Sequence, residues 1–190
     1  DLNRYFYGGR LHYFSRKLDQ FDADGNRLSE YDASQVGLQL TAGREFGNIG
    51  ALGFGLRRFT GEAERLIGDP AQLPDFDFEI GEAFVELVLD RLDSPYFPRS
   101  GYVSRNRYIY SRESLGADID FEQWEVDLLG AFNRGKHAFQ GGMRYHVTVS
   151  GFAPIQSNFR IGGYSRLVGF QNNELVGQNY ALLLGGYSYQ

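Results

Sequence analysis

Three histidines and many carboxylates are the side chains of this chain that could do acid–base or metal chemistry. His12, His137 and His146 are far apart in the sequence and fall in different predicted strands, so we expect no metal-binding triad. The chain has no cysteine, which excludes disulfides, thiolate metal sites and a cysteine nucleophile. It has no G-x-S-x-G elbow and no glycine loop that opens a phosphate-binding helix. We therefore expect no enzyme active site and no cofactor.

The elements that carry these side chains are predicted by period-two alternation, the pattern of β-strands. In "HAFQGGMRYHVTVS", residues 137–150, apolar residues alternate with a polar set that includes Gln140, Arg144 and His146. In "FDFEIGEAFVELVLD", residues 76–90, the alternation changes phase near Gly81, which predicts a β-bulge. The residues that we expect on the outer, apolar face are Leu38, Leu40, Leu52, Phe54, Trp124, Val126, Met143 and Val147.

The length of the alternating segments distinguishes between kinds of sheet. Turn signals separate about eight segments, each roughly 12 to 16 residues long and about twice the usual soluble strand. With 25 glycines, 16 phenylalanines and 13 tyrosines, the composition also favours strands. We predict an all-β antiparallel meander that forms part of a transmembrane β-barrel, because tilted strands of this length cross a bilayer.

The charges of the polar face indicate which partners to expect. That face carries Arg, Glu, Asp, Gln, His and Gly and almost no Lys, as expected of a crowded polar lumen, whereas Lys and Glu dominate surfaces in bulk water. The net charge of -5 argues against a nucleic-acid partner. No apolar run is long enough for a membrane helix. A soluble β-barrel or sandwich that acts as a binding module remains the alternative.

Turn geometry predicts a ladder of charges on the polar face. A two-residue turn with Arg134 and Gly135 at its corners sets Glu125 opposite Arg144. A hairpin around "SLGAD", residues 114–118, sets Arg107 opposite Glu125 and also pairs the next two polar positions. Glu125 is then flanked by two arginines in a shielded lumen. The predicted ladder comprises Arg105, Arg107, Glu125, Asp127 and Arg144.

Two motifs resemble a known family of barrels. The stretch "LDRLDSPYFPRSGYVSR", residues 89–105, resembles the strand–turn–strand signature of the bacterial surface antigen barrel, with the pattern D-x-x-D-x-x-x-x-P-x-x-G on Asp90, Asp93, Pro98 and Gly101. This barrel is shared by outer-membrane insertases and two-partner-secretion transporters. The stretch "FRIGGYSRLVGFQNNELVG", residues 159–177, resembles the long sixth extracellular loop of that family. The loop residues that carry this resemblance are Arg160, Gly162, Gly163, Arg166, Val168, Gly169 and Phe170.

The resemblance implies that this loop folds back into the lumen, where an arginine at its tip pairs with acidic residues of the wall. Val168 stands here in the place of that arginine, so either Arg166 or Arg160 replaces it or the pairing is lost. We also expect residues 158–170 to be ordered against the polar face, because Phe159, Ile161 and Phe170 are apolar.

Residues 21–35 and 41–74 further resemble the barrel that follows a patatin-like phospholipase domain in self-secreted lipases. The implied assignment is a single domain, residues 1–190, from the middle of a sixteen-stranded barrel in the outer membrane of a Gram-negative bacterium. Its expected partners are outer-membrane lipid and its own N-terminal passenger domain. Its expected role is to assist secretion or surface display of that lipase domain, with a membrane anchor that transports nothing as the alternative. Unpaired strand edges recruit partners, so a homodimer is a further expectation.

Overall fold

The chain is an all-β protein, as its alternation predicts. A computed structural model describes residues 4–21, 26–69, 73–163 and 167–189. In the described residues, ten strands follow one another along the chain. Their bounds are β1 Tyr5–Phe21, β2 Arg27–Glu45, β3 Gly50–Ile67, β4 Phe76–Asp90, β5 Gly101–Ser111, β6 Phe121–Arg134, β7 His137–Gly151, β8 Phe159–Ile161, β9 Leu175–Gly177 and β10 Asn179–Tyr189.

Eight of these strands form one antiparallel sheet in the order β1-β2-β3-β4-β5-β6-β7-β10, which confirms the predicted meander. The short strands β8 and β9 pair with each other in the long loop between β7 and β10. The connections lie at the two ends of the sheet. Residues 46–49, 91–100 and 135–136 connect strands at one end, and residues 112–120 and 152–178 connect strands at the other, where residues 152–178 form the longest of these connections. Long loops mark the extracellular end of an outer-membrane barrel, and short turns mark the periplasmic end.

The two faces of the sheet are those predicted by the alternation. We call inner the face that carries the loop after β7, and there Gln123, Glu125, Asp127 and His146 line a cavity of 560 Å³. Trp124 lies on the opposite, outer face and is exposed, as are Leu38, Leu40 and Phe54. Val126 shares that face but is only 7% exposed. It pairs with Tyr145 and Asn106 on its two sides, so its neighbours cover much of it.

The β-bulge predicted near Gly81 is wrong. Strand β4 pairs without a register shift with β3 from Phe76 to Leu89 and with β5 from Glu82 to Asp90. The shift within β6 lies instead between Glu122 and Gln123. The change of phase in β4 therefore reflects a change in which face is apolar, and the backbone itself stays regular.

The main cluster of buried apolar residues lies in β1–β4 at the end of the sheet that carries residues 152–178. Its members are Leu18, Tyr31, Ala33, Ala63 and Phe78, with Leu73, Phe76 and Ile80 packed against them. Among the described residues, no helix has the length and apolar character to span a membrane.

Candidate functional site: the inner face and its loop

Two rows of charged residues cross the inner face of β4–β7. In the first row, Glu86 lies opposite Arg107 and Arg107 lies opposite Glu125. In the second, Arg105 lies opposite Asp127 and Asp127 opposite Arg144. The register between β5 and β6 is the predicted one. Acidic and basic residues therefore alternate across neighbouring strands, an arrangement that favours cross-strand pairing. Ion pairs also form diagonally, with Arg105 Nε 3.6 Å from Glu86 Oε1.

The predicted register between β6 and β7 is wrong by two residues. Glu125 pairs with His146, and Arg144 pairs with Asp127. The predicted turn was placed one residue too early. Arg134 pairs with His137, so the two central residues of the turn are Gly135 and Lys136. Gly135 has φ of 63° and stands first in the turn, the position that a type II′ turn gives to glycine.

The shifted register gives Asp127 the central role that was predicted for Glu125. Asp127 Oδ1 lies 3.7 Å from Arg144 Nε and 3.1 Å from His146 Nε2. Arg107 has a different environment, because its guanidinium carbon lies 4.4 Å from the centre of the Phe84 ring. Arg107 Nε is buried without a hydrogen-bond acceptor among the described residues. The wall is thus a connected network around Asp127 with an aromatic-stacked arginine beside it.

The loop after β7 is fastened to the inner face at its base. Gln178 forms two hydrogen bonds with the backbone of Ala153, accepting from N–H at 3.0 Å and donating to the carbonyl oxygen at 2.8 Å. Gln123 of β6 donates to the carbonyl oxygen of Ser157 at 3.1 Å. Phe159 is 9% exposed and packs against the rings of His146 and Tyr180. These contacts satisfy backbone groups that a buried loop would otherwise leave unpaired.

The loop also reaches β1, at the far edge of the sheet. The guanidinium of Arg16 donates to the carbonyl oxygen of Gln156. A loop side chain also bonds to the strand: Arg160 Nη1 donates to the carbonyl oxygen of Asp19 in β1 at 2.8 Å. Burial, and to a smaller extent the charge of Arg16, lowers the pKa of Arg160 to about 10. The loop therefore spans the inner face from β7 to β1.

The tip of the loop differs from the prediction. Gly163 and Leu167 form an isolated β-bridge, in which Leu167 N–H donates to Gly163 O at 2.9 Å. Val168 is 75% exposed and Phe170 is also exposed. The prediction that the loop lies against the inner face is thus right for its base and wrong for its tip. Arg166 lies outside the described residues. The glycines Gly162, Gly163 and Gly169 all have positive φ, of 138°, 92° and 103°.

The turn signature between β4 and β5 is built from backbone hydrogen bonds. Asp93 Oδ1 accepts from the N–H groups of Arg99 and Ser100 at 2.9 and 3.1 Å. These bonds, with that of Arg99 the larger contributor, hold the pKa of Asp93 below its usual value. Gly101 has φ of 97°, and a Cβ there would collide with the carbonyl oxygen of Arg91.

The other two signature residues tie this turn to its surroundings. Asp90 Oδ1 accepts from Leu92 N–H at 3.0 Å. The carbonyl oxygen of Pro98 accepts from Gln140 Nε2 of β7 at 3.0 Å. The motif residues are therefore structural, since each one shapes the turn between β4 and β5 or fixes its position against β7.

Sequence reasoning missed the residues that hold the base of the loop. Gln123 and Gln178 carry no charge, and Arg16 belongs to a strand that is far from the loop in sequence. The sequence indicates that these residues are polar and lie at inner positions of their strands. That pattern does not indicate which inner residues contact the loop.

The cavity beneath the loop is lined by many charged side chains. Its wall contributes Arg57, Arg105, Arg144, Glu82, Glu125 and Asp127. In the described residues, no group of three or more His, Asp or Glu side chains could hold a metal ion. Paired charges of both signs can form hydrogen bonds with water and with many different polar groups, so this wall is not specific for one ligand.

Comparison with known proteins identifies the barrel to which this wall belongs. No curated protein matches the chain significantly. Residues 2–190 match the Omp85 superfamily domain. Domains of this superfamily are translocator and insertase barrels of the Gram-negative outer membrane, and they are not enzymes. Because the match covers almost all of the sequence, the chain belongs to the Omp85 superfamily.

Proposed function

We propose that this chain forms part of the wall and the internal loop of an outer-membrane translocator that assists secretion or surface display of an attached patatin-like lipase domain. The observation that carries the translocator assignment is the loop that spans the inner face and is fastened at β6, β7 and β1. The lipase assignment rests on the resemblance of residues 21–35 and 41–74 to barrels that follow patatin-like domains.

The mechanism that this arrangement supports is physical. A polypeptide that passes through the barrel contacts paired charges such as Arg144 and Asp127. Its polar groups can then form hydrogen bonds with the wall in place of those that they lose to water. The loop covers the cavity while no chain passes. It is held by hydrogen bonds that Arg16 and Arg160 donate to backbone carbonyl oxygens.

The sheet is part of a larger barrel in this proposal. Within the described residues, β1 and β10 each pair with one neighbour only. A closed barrel has no edges, so further strands pair with both, as in the sixteen-stranded barrel that the resemblance implies. The outer face, with Leu40 and Phe54, contacts outer-membrane lipid, and a second copy of the protein is a further partner.

Secretion measurements test the proposal. We expect Arg160→Ala and Gln178→Ala to change the amount of lipase domain that reaches the cell surface, while the barrel itself still inserts. Gln171→Ala is the matched control, because Gln171 is exposed near the loop tip and, among the described residues, its hydrogen bonds are made by its backbone. Unchanged display in both loop variants, with normal insertion, would show that the barrel is an anchor.

A further inference from the structure

Strands β2 and β3 are much longer than a bilayer requires. They have 19 and 18 residues, whereas a tilted transmembrane strand needs about 9–11. About eight residues of each strand are left over, and at about 3.3 Å per residue they extend some 27 Å. The chemistry of these extra residues shows where they lie.

The outer face changes from apolar to polar along β3. Phe54 and Leu56 point outward and are exposed. The next outward residues toward the extracellular end are Arg58, Thr60, Glu62 and Glu64. Leu66 and Ile67 at the far end are also exposed, and isolated exposed apolar residues are ordinary for a protein surface in water.

The neighbouring strands change at the same level. On β2, Val36 lies opposite Thr60, and the next outward residue, Ser34, lies opposite Glu62. On β4, Glu79 lies opposite Thr60 and Asp77 opposite Glu62. Tyr13 of β1 lies opposite Val36 and is exposed, a position typical of the aromatic belt at a membrane surface.

The inner face changes in the opposite sense at this level. Arg57 and Glu82 form an ion pair on the inner face. Toward the extracellular end, the inner residues become apolar, beginning with Phe59 and Ile80. They lead into the buried cluster that contains Leu18, Tyr31, Ala33, Ala63 and Phe78. Leu73, from the connection between β3 and β4, covers the cluster.

A membrane-embedded segment of barrel is apolar outside and polar inside, and a segment in water is the reverse. We propose that the outer surface of the membrane crosses β1–β4 at the level of Val36 and Thr60. Beyond it, residues 15–21, 27–35, 60–67 and 73–79 stand in water as a collar with its own apolar core. The apparent change of phase at Gly81 marks this crossing on β4.

The loop between β5 and β6 supports the same level. Residues 113–116 lie over the outer face at Gly81, where a Cβ would collide with the carbonyl oxygen of Leu115. Arg58 Nη1 donates to that oxygen at 3.5 Å, and Asp118 accepts from Glu79 N–H at 2.6 Å. Irregular backbone on the outer face is incompatible with hydrocarbon, so this level lies in water or headgroups.

The collar has a consequence for the inner face. Leu18 lies between Arg16 and Asp19, whose contacts hold the loop to β1, and it is fully buried in the collar core. The collar thus fixes the part of β1 on which the loop rests. This inference goes beyond the proposed function, because it holds for a transporter and for an anchor alike.

Single-cysteine labelling tests the inference directly, since the chain has no cysteine of its own. In intact cells, we expect a membrane-impermeant maleimide to modify Glu62→Cys about ten-fold faster or more than Phe54→Cys, because a thiol in hydrocarbon does not ionise. Both positions lie on the outer face of the same strand. Equal protection of the two, with both labelled only in detergent, would overturn the proposal.

A second measurement tests the collar core. We expect Phe78→Ala to raise hydrogen exchange at residues 156–160 of the loop, because it opens a cavity in the collar core, which includes Leu18. Val85→Ala, on the outer face of the same strand within the lipid belt, is the control and should leave that exchange unchanged. Equal exchange in both variants would contradict the link between collar and loop. If Phe78→Ala does not insert, the labelling of Glu62→Cys still decides the membrane level.

Discussion

The Nε2 atom of His146 lies 3.1 Å from Oδ1 of Asp127, and the ring of His146 also packs edge-on against Phe159 of the loop. The same carboxylate oxygen lies 3.7 Å from Nε of Arg144. Asp127 of β6 thus orients Arg144 and His146 of β7, and through His146 it is connected to the loop. The charge network of the wall and the position of the loop are therefore coupled.

We expect Asp127→Asn to destabilise the barrel by about 0.5–1 kcal/mol, since the pairs that it breaks are partly exposed. We also expect faster hydrogen exchange at Phe159, because His146 loses its orienting partner. Glu125→Gln is the control, since within the described residues Glu125 has no basic nitrogen within 4 Å. Unfolding in denaturant measures the first effect. A larger loss in Glu125→Gln than in Asp127→Asn would contradict the observed register.

Two adjacent leucines of β10 provide a matched test of the faces. Leu183 lies opposite Met143 on the outer face, and Leu184 lines a cavity with Arg105, Asp127 and Arg144 on the inner face. We expect Leu183→Arg to cost about 2–4 kcal/mol in a bilayer, as charged residues do at the midplane on the lipid side. Leu184→Arg should cost clearly less, because Asp127 and water are within reach. Folding into lipid vesicles measures both, and equal costs would show that the faces are misassigned.

Gln178→Ala should loosen the base of the loop. Ala153 is fully buried, and the substitution leaves its N–H and carbonyl groups without their partners. A buried unsatisfied group costs about 1–3 kcal/mol, so we expect local opening of residues 153–158. Hydrogen exchange of these amides measures it. Similar exchange in Gln178→Ala and in the exposed control Gln171→Ala would contradict the role of Gln178.

The turn between β4 and β5 should depend on acid pH. The pKa of Asp93 is lowered in the folded state by the N–H groups of Arg99 and Ser100. A lowered pKa adds stability that is present above the unfolded value of about 3.9 and is lost as the pH falls through the folded value. We therefore expect amide protection at Arg99 and Ser100 to hold at pH 6 and to fall below about pH 4. Asp93→Ala should show low protection at both pH values, and an unchanged pH profile in that variant would refute the assignment.

The sequence by itself determined the local features of this protein. Alternation of side chains identifies the faces of the sheet at Leu38 and Gln39, because the period of a strand is two whatever its neighbours are. The pairing of Arg107 with Glu125 was also predicted from the sequence, because the connection between β5 and β6 is centred on residue 116 and the pairing of antiparallel strands is symmetric about that centre. The glycine in "NRGK" was recognised as a turn residue, but its place within the turn depends on backbone dihedrals, and the register slipped by two residues there.

Tertiary structure alone decided what each face contacts. The same alternation along β4 points Phe84 and Phe78 inward, yet Phe84 stacks under Arg107 in the polar wall whereas Phe78 lies in the collar core. That difference depends on neighbours from β1, β2 and β3 and on the level of the membrane, which no local pattern encodes. The contacts of Arg16 with Gln156 and of Arg160 with Asp19 join residues that are about 140 positions apart. Only the closure of the loop across the inner face brings these residues together, because a loop of this length can reach many sites at nearly the same cost in entropy.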